Sequence, residues 1–264
     1  MGTLSEIVSL SFERKIFMSG HSKWSTIKRK KGKTDAERAK VFTKIGREMT
    51  VAVREGGPDP AVNSKLRDLI AKAKSNNVPN DNIDRVIKKA AGGQDKNDYE
   101  NIVYEGYGPN GVALIVECLT DNRNRTASDV RHYFDKFGGN LGTPGCVSFM
   151  FSPKGIILVE DDGLDEEKVM DDVMEAGADD YKLEDGVLEI STDTASLHNV
   201  REVLEQKGYD ISSAEAAQVP ATYTRLEDPD SLVKMGRLLD ALEDNDDVQN
   251  VWHNLENEED LPND

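Results

Sequence analysis

Between residues 154 and 219 the chain runs strand, helix, strand, strand, helix, strand, and few folds accept that order. Apolar alternation marks strands at 156–160, 180–183, 187–191 and 211–219, with amphipathic helices at 166–176 and 196–206. This βαββαβ succession is the split-βαβ, ferredoxin-like signature, and it is complete in itself. The C-terminal remainder is not. Residues 221–226, a helix over 231–242 and a strand over 248–254 are too few elements to enclose a core.

Those elements fit as the completion of a sheet begun earlier. Strands are predicted at 102–105 and 112–119 around the turn Gly108-Pro109-Asn110-Gly111, then a helix over 126–137 closed by Gly138-Gly139, then a strand over 146–151. The βαββαβ unit is therefore read as an insertion within a discontinuous middle domain.

Ahead of both lies a helical region. Thr34-Asp35-Ala36-Glu37 has capping-box spacing. Val41, Phe42, Ile45, Met49 and Val53 then recur on one helical stripe, which Gly56-Gly57-Pro58 ends. A second helix is expected to start at Asp59-Pro60, with the stripe Val62, Leu66, Leu69, Ile70 and Ala73. Asn76-Asn77-Val78-Pro79 breaks it. A third carries Ile83, Val86, Ile87 and Ala90 and stops at Gly92-Gly93. The expected fold class is α+β in three domains: a helical N-terminal bundle, then two α+β domains of the ferredoxin-like type, one inserted in the other. The expected boundaries are 1–17 for a flexible extension, 18–97 for the basic helical domain, 98–153 plus 220–255 for the middle domain, 154–219 for the insertion and 256–264 for a disordered acidic tail.

Charge divides along the same lines. The whole chain carries a formal −17, which by itself argues against a nucleic-acid partner. Residues 18–97, however, hold 19 Lys and Arg against 9 Asp and Glu, whereas residues 98–264 hold 12 against 39. A basic head on an acidic body points to a polyanion at one end only. The densest cations lie in His21-Ser22-Lys23-Trp24 and Lys28-Arg29-Lys30-Lys31-Gly32-Lys33. Such a run attracts phosphates and releases their counterions, and Trp24 is suited to stack on a base or ribose. Lys40, Lys44 and Arg47 follow at i, i+4, i+7 on one helix face. The expected nucleic-acid contacts are thus His21, Lys23, Trp24, Lys28, Arg29, Lys30, Lys31, Lys33, Lys40, Lys44 and Arg47. The competing reading is a solvated charge run with Trp24 packed in the bundle. Arg123 and Arg125, in Asp121-Asn122-Arg123-Asn124-Arg125-Thr126, form a secondary candidate. Two arginines there suit phosphate or an acidic partner, and Asn and Asp equally suit a turn and cap.

Other motifs argue against catalysis. Gly106-Tyr107-Gly108-Pro109-Asn110-Gly111 matches GxGxxG, but a strand comes after it, so no helix N-terminus meets a pyrophosphate. The acidic groups near 160 and 244–247 fit no calcium loop. His21, His132, His198 and His253 are far apart, and no nucleophile stands beside them in a suitable turn. Cys118 and Cys146 sit in apolar, strand-like runs without CxxC spacing and read as buried, reduced thiols of an intracellular protein. No apolar run approaches the roughly 18 residues of a membrane span. Neither a catalytic residue, a cofactor nor a metal is expected.

Several of these segments together resemble the YebC/PmpR family. They are Met18-Ser19-Gly20-His21-Ser22-Lys23-Trp24, Phe42-Thr43-Lys44, Val78-Pro79-Asn80-Asp81-Asn82-Ile83, Tyr104-Glu105-Gly106-Tyr107-Gly108-Pro109, Leu119-Thr120-Asp121-Asn122, Asn124-Arg125-Thr126 and Gly138-Gly139-Asn140-Leu141-Gly142. Cys146 departs from the small residue expected there, and residues 1–17 lie outside the likeness. The resemblance implies three domains and a cytoplasmic, non-enzymatic regulator of gene expression. It is either a DNA-binding transcriptional regulator or a translation factor bound to ribosomal RNA at the ribosome. No membrane association is expected, and the chain is expected to be a monomer or a weak dimer. A protein-interaction module without nucleic acid is the further alternative.

Overall fold

The computed structural model describes residues 35–93, 98–160, 163–184 and 186–262. Helix α1 (Asp35–Gly56) carries Ile45, Met49, Ala52 and Val53 on one buried stripe. That stripe packs on Leu66 and Ala73 of α2 (Ser64–Ser75) and on Ile83 and Ala90 of α3 (Asn80–Ala91). The α2 start differs from expectation. Asn63 caps the helix: its side-chain oxygen accepts from the Leu66 N–H at 3.0 Å, while its amide donates to the carbonyls of Ala52 and Gly57, each at 2.8 Å. Three bonds from one buried amide outweigh the mild preference of Pro60 for a first turn. Asp59 through Val62 form a turn instead, and Val62 is 80% exposed.

Two four-stranded antiparallel sheets complete the chain. The first has the order β3-β1-β2-β8, from β1 (Glu100–Tyr107), β2 (Ala113–Thr120), β3 (Asn140–Leu141) and β8 (Val248–His253). The second has the order β5-β6-β4-β7, from β4 (Phe151–Glu160), β5 (Asp180–Glu184), β6 (Val187–Thr192) and β7 (Ile211–Pro220). With α5 (Glu166–Ala176) and α6 (Leu197–Gln206) as crossovers, the second sheet is a ferredoxin-like βαββαβ arrangement. The first is covered by α4 (Arg123–Lys136) and α7 (Pro229–Asp244). Among the described residues the class is α+β, a helical region followed by sheet domains.

The helix-free faces of the two sheets meet. Strand β2 turns Leu114, Val116 and Cys118 toward α4 and α7, and Ala113 and Ile115 toward the other sheet. Strand β4 likewise turns Ile157 and Val159 to its own helices, and Ile156 and Leu158 to the shared seam, where Val147, Trp252 and Ala217 also lie. A strand buried on both faces reads as a continuous apolar run rather than an alternation, as the Ala113-Leu114-Ile115-Val116 string does.

Two further expectations change. Residues 146–151 are not a strand, and Cys146 does not lie in one: a turn and a 3₁₀ segment (Ser148–Met150) precede β4. The buried carboxylate of Glu105 draws in the loop's N–H groups, which a strand would have spent on a ladder. The stretch after 255 is ordered through Pro262. Asn257, 1% exposed, bonds both backbone groups of Leu226 through its side chain, and Leu261 joins the core beside Met235. The Gly106–Gly111 string is the expected turn between strands: the end of β1 and a 3₁₀ turn leading into β2, with Asn110 and Gly111 at φ of 52° and 82°.

Candidate nucleic-acid interface

Eight of the eleven expected contacts (His21, Lys23, Trp24, Lys28, Arg29, Lys30, Lys31 and Lys33) lie outside the described residues, as do Thr34 and residues 1–17. The remaining three are on α1, and they do not face solvent as an open stripe. Lys40 Nζ meets Asp244 Oδ1 at 2.8 Å, and Lys44 Nζ donates to the Glu243 carbonyl at 2.6 Å. Arg47 donates to Asp247 Oδ1 at 2.7 Å and to the Asp246 carbonyl at 2.8 Å. Helical spacing does align these cations, but the surface they meet is the chain's own acidic turn between α7 and β8. The α7 C-terminus also concentrates carbonyl oxygens there, which favours cations.

Asp247 is the centre of this contact. It is 3% exposed and accepts from Arg47, from Arg125 Nη2 at 2.8 Å, from Thr126 Oγ1 at 2.8 Å and from Thr120 Oγ1 at 3.1 Å. Burial alone would raise its pKa, but the hydrogen bonds from Arg125, Thr126 and Arg47 outweigh that and lower it. The helical region, β2, α4 and the turn before β8 are thereby tied to one carboxylate. Arg125 also pairs with Asp121 at 2.9 Å, and Arg123 with Glu100 at 3.1 Å. Of the two secondary candidates, Arg125 is thus held in a structural cluster, and Arg123 rests in an exposed surface pair. Asn122 is the α4 cap, accepting from the Arg125 N–H.

The inner side of α2 is occupied in the same way. Lys72 pairs with Glu48 at 3.4 Å; burial opposes its charge, but Glu48 and Glu215 of β7 hold its pKa above the usual lysine value. His198 of α6 lies 3.8 Å from Asp68. The helical region therefore touches both sheets through α1 and α2.

The outward side of α3 is different. Arg85, Lys88 and Lys89 are exposed at i, i+3, i+4, with Asp81 and Asp84 one turn earlier, and together they line a shallow depression. Sequence reasoning missed this cluster. Its signal was the Arg-x-x-Lys-Lys spacing on the polar face of an amphipathic helix, overshadowed by the denser run at 28–33.

Among the described residues, no helix is long and apolar enough to cross a membrane, and no group of three or more His, Cys, Asp or Glu is placed to hold a metal ion. Residues 22–93 match the family profile described as the TACO1/YebC protein N-terminal domain, and residues 99–255 match the TACO1/YebC second and third domain. A protein of Finegoldia magna named "probable transcriptional regulatory protein" is 58% identical over 91% of this chain and 100% of its own length. One of the same name from Acetivibrio thermocellus is 58% identical over 90% and 98%. The crystal structure of a conserved hypothetical protein from Aquifex aeolicus superposes with a TM-score of 0.80 at 45% identity, covering 89% of this chain and 96% of that one. The three-part architecture, the matched residues and the near-complete overlap with these relatives agree: the chain belongs to the TACO1/YebC family.

Proposed function

We propose that this protein is a non-enzymatic regulator of gene expression that binds nucleic acid through the basic segment at 21–33, with the exposed Arg85, Lys88 and Lys89 face of α3 as a flanking contact. The observation that carries the reading is the division of charge: a net positive head of residues 18–97 against a body holding 39 acidic and 12 basic residues. The cations of α1 serve to dock the head, so they are left out of the contact. A role in transcriptional regulation agrees with the names of the relatives; DNA as the bound nucleic acid, and the cytoplasm as the place of action, belong to the proposal and rest on the basic segment.

Binding to duplex DNA at increasing salt tests this. Engagement of the six cations between Lys23 and Lys33 sets a slope of log K on log salt near −5, a loss of about 10³ between 50 and 200 mM salt. Replacing Lys28, Arg29, Lys30 and Lys31 by Ala should flatten that slope to roughly −2. A slope unchanged by the four substitutions would refute the assignment.

The second reading is a ribosome-associated translation factor. It is favoured by an uncharged loop at 142–150 with an exposed aromatic ring, Phe149, which suits unpaired RNA better than a duplex. Co-sedimentation with ribosomes, abolished by the same four alanines, is its expected signature. Absence from ribosomal fractions at low salt removes it.

A further inference from the structure

The longest stretch of the chain without Asp, Glu, Lys or Arg runs from Phe137 to Pro153, seventeen residues in the middle of the acidic body. Its 142–150 portion is a loop held from within. Glu105, on β1 and 7% exposed, accepts the N–H groups of Gly145, Val147 and Ser148 at 2.8, 2.9 and 2.8 Å. The Tyr107 hydroxyl donates to the Cys146 carbonyl at 3.1 Å, and the Gly142 N–H donates to the Glu105 carbonyl at 2.8 Å. Val147 is fully buried in the seam between the sheets, with Met150 and Phe151 packed beside it.

Against that anchoring, Phe149 is 77% exposed, flanked by the exposed Ser148 and, across the loop, Thr143 and Pro144. Three apolar neighbours found the core and this ring did not. A buried carboxylate is costly unless its partners fix it, and here they fix one loop in one shape. The result is a ring held outward on a rigid support, so that little entropy is lost when something packs on it.

We propose that this loop is a second nucleic-acid contact, on which Phe149 stacks against an unpaired base. The inference rests on the proposed nucleic-acid function and deepens it toward single-stranded segments. Stacking needs an exposed π-face and tolerates any base, whereas a base in a duplex offers no free face. The loop carries no charged residue of its own, and the Glu105 carboxylate beneath it is sealed by backbone donors, so the segment adds no repulsion toward a phosphate chain. Thr143, exposed at its rim, supplies a hydroxyl donor.

The test uses the full chain and two labelled probes at one salt concentration, a uridine-rich single-stranded RNA and a duplex of equal length. A 2-aminopurine within the single strand reports stacking. Phe149→Ala should weaken the single strand about tenfold, as for one stacked base, and shift the duplex less than twofold. It should also remove the 2-aminopurine quenching, which Phe149→Trp restores. Because the ring is exposed, urea unfolding should be unchanged. Equal affinity and equal quenching in parent and Phe149→Ala overturn the proposal. So does loss of ribosome co-sedimentation with oligonucleotide binding intact, which assigns the ring to a protein pocket. If the four-alanine variant binds like the parent while Phe149→Ala keeps its single-strand defect, the basic-segment reading falls and the loop contact stands.

Discussion

Substituting Asp247 by Asn isolates the chemistry that holds the head to the body. The carboxylate takes two arginines and two hydroxyls, with Arg47 at 2.7 Å and Arg125 at 2.8 Å. Asn keeps the volume, offers one acceptor oxygen and turns an NH₂ toward a ring of donors. A hydrogen bond to a charged group contributes about 1.5–3 kcal/mol. Arg47, whose side chain is 20% exposed, should lose a value in that range. Arg125 is 46% exposed and keeps Asp121, so solvent screening holds its share below the range. The sum is about 3 kcal/mol, near the lower end for breaking a buried pair. Urea unfolding followed by circular dichroism measures it. A cycle with Arg47→Met should return a coupling of about 1.5–3 kcal/mol between Arg47 and Asp247. The Asp247 pKa is lower folded than unfolded, so its contribution is complete above about pH 4 and drains away as the pH falls through the depressed folded value. The gap between parent and variant should accordingly be flat from pH 8 to 5 and close in acid. A loss below 1 kcal/mol, or strictly additive single variants, would show that the cluster is incidental to docking.

Three shorter expectations arise from the same geometry. Asn63→Ala removes a cap and the amide's bonds to the Ala52 and Gly57 carbonyls, so it should cost about 2 kcal/mol in urea unfolding; a value under 0.5 contradicts the capping account. Gly106→Ala would place a Cβ 2.6 Å from the Asn140 carbonyl and 2.8 Å from the Phe134 ring, and should destabilise by about 1–3 kcal/mol, read as a lowered Tm. The Cys118 thiol is buried and pushed up to about 12, so iodoacetamide at pH 8.5 should label it only after unfolding; labelling at the rate of a free cysteine in the native protein excludes that burial.

Much of the architecture was legible because its signals are local. The βαββαβ order shows in strands and helices that each announce themselves within ten residues. The Ala113–Val116 run reads as a strand for the same reason, although nothing in it says which layer lies on which face. Features that depend on a distant partner were hidden. Lys40, Lys44 and Arg47 could be aligned by period, yet their acceptors lie about 200 residues away in the 243–247 turn. The apolar string at 146–151 looks like a strand until Glu105, some 40 residues earlier, is seen collecting its N–H groups. At α2 two local signals competed, Pro60 and Asn63, and the amide with three partners prevailed. The candidate interface was legible as a charge imbalance and not as a surface, because pairing consumes some cations and leaves others, such as Arg85 and Lys88, at the outside.

The position of β8 in the chain bears on how the protein is made. The strand that flanks Ala113–Thr120 arrives only with residues 248–253, after the whole second sheet has been synthesised. Until then β2 presents an unpaired, strongly apolar margin, the kind of edge that recruits foreign strands. In a growing polypeptide of this design the inserted unit is complete before the middle one, and is expected to fold first. Chains ending short of residue 248 should therefore be the aggregation-prone products of this protein's synthesis.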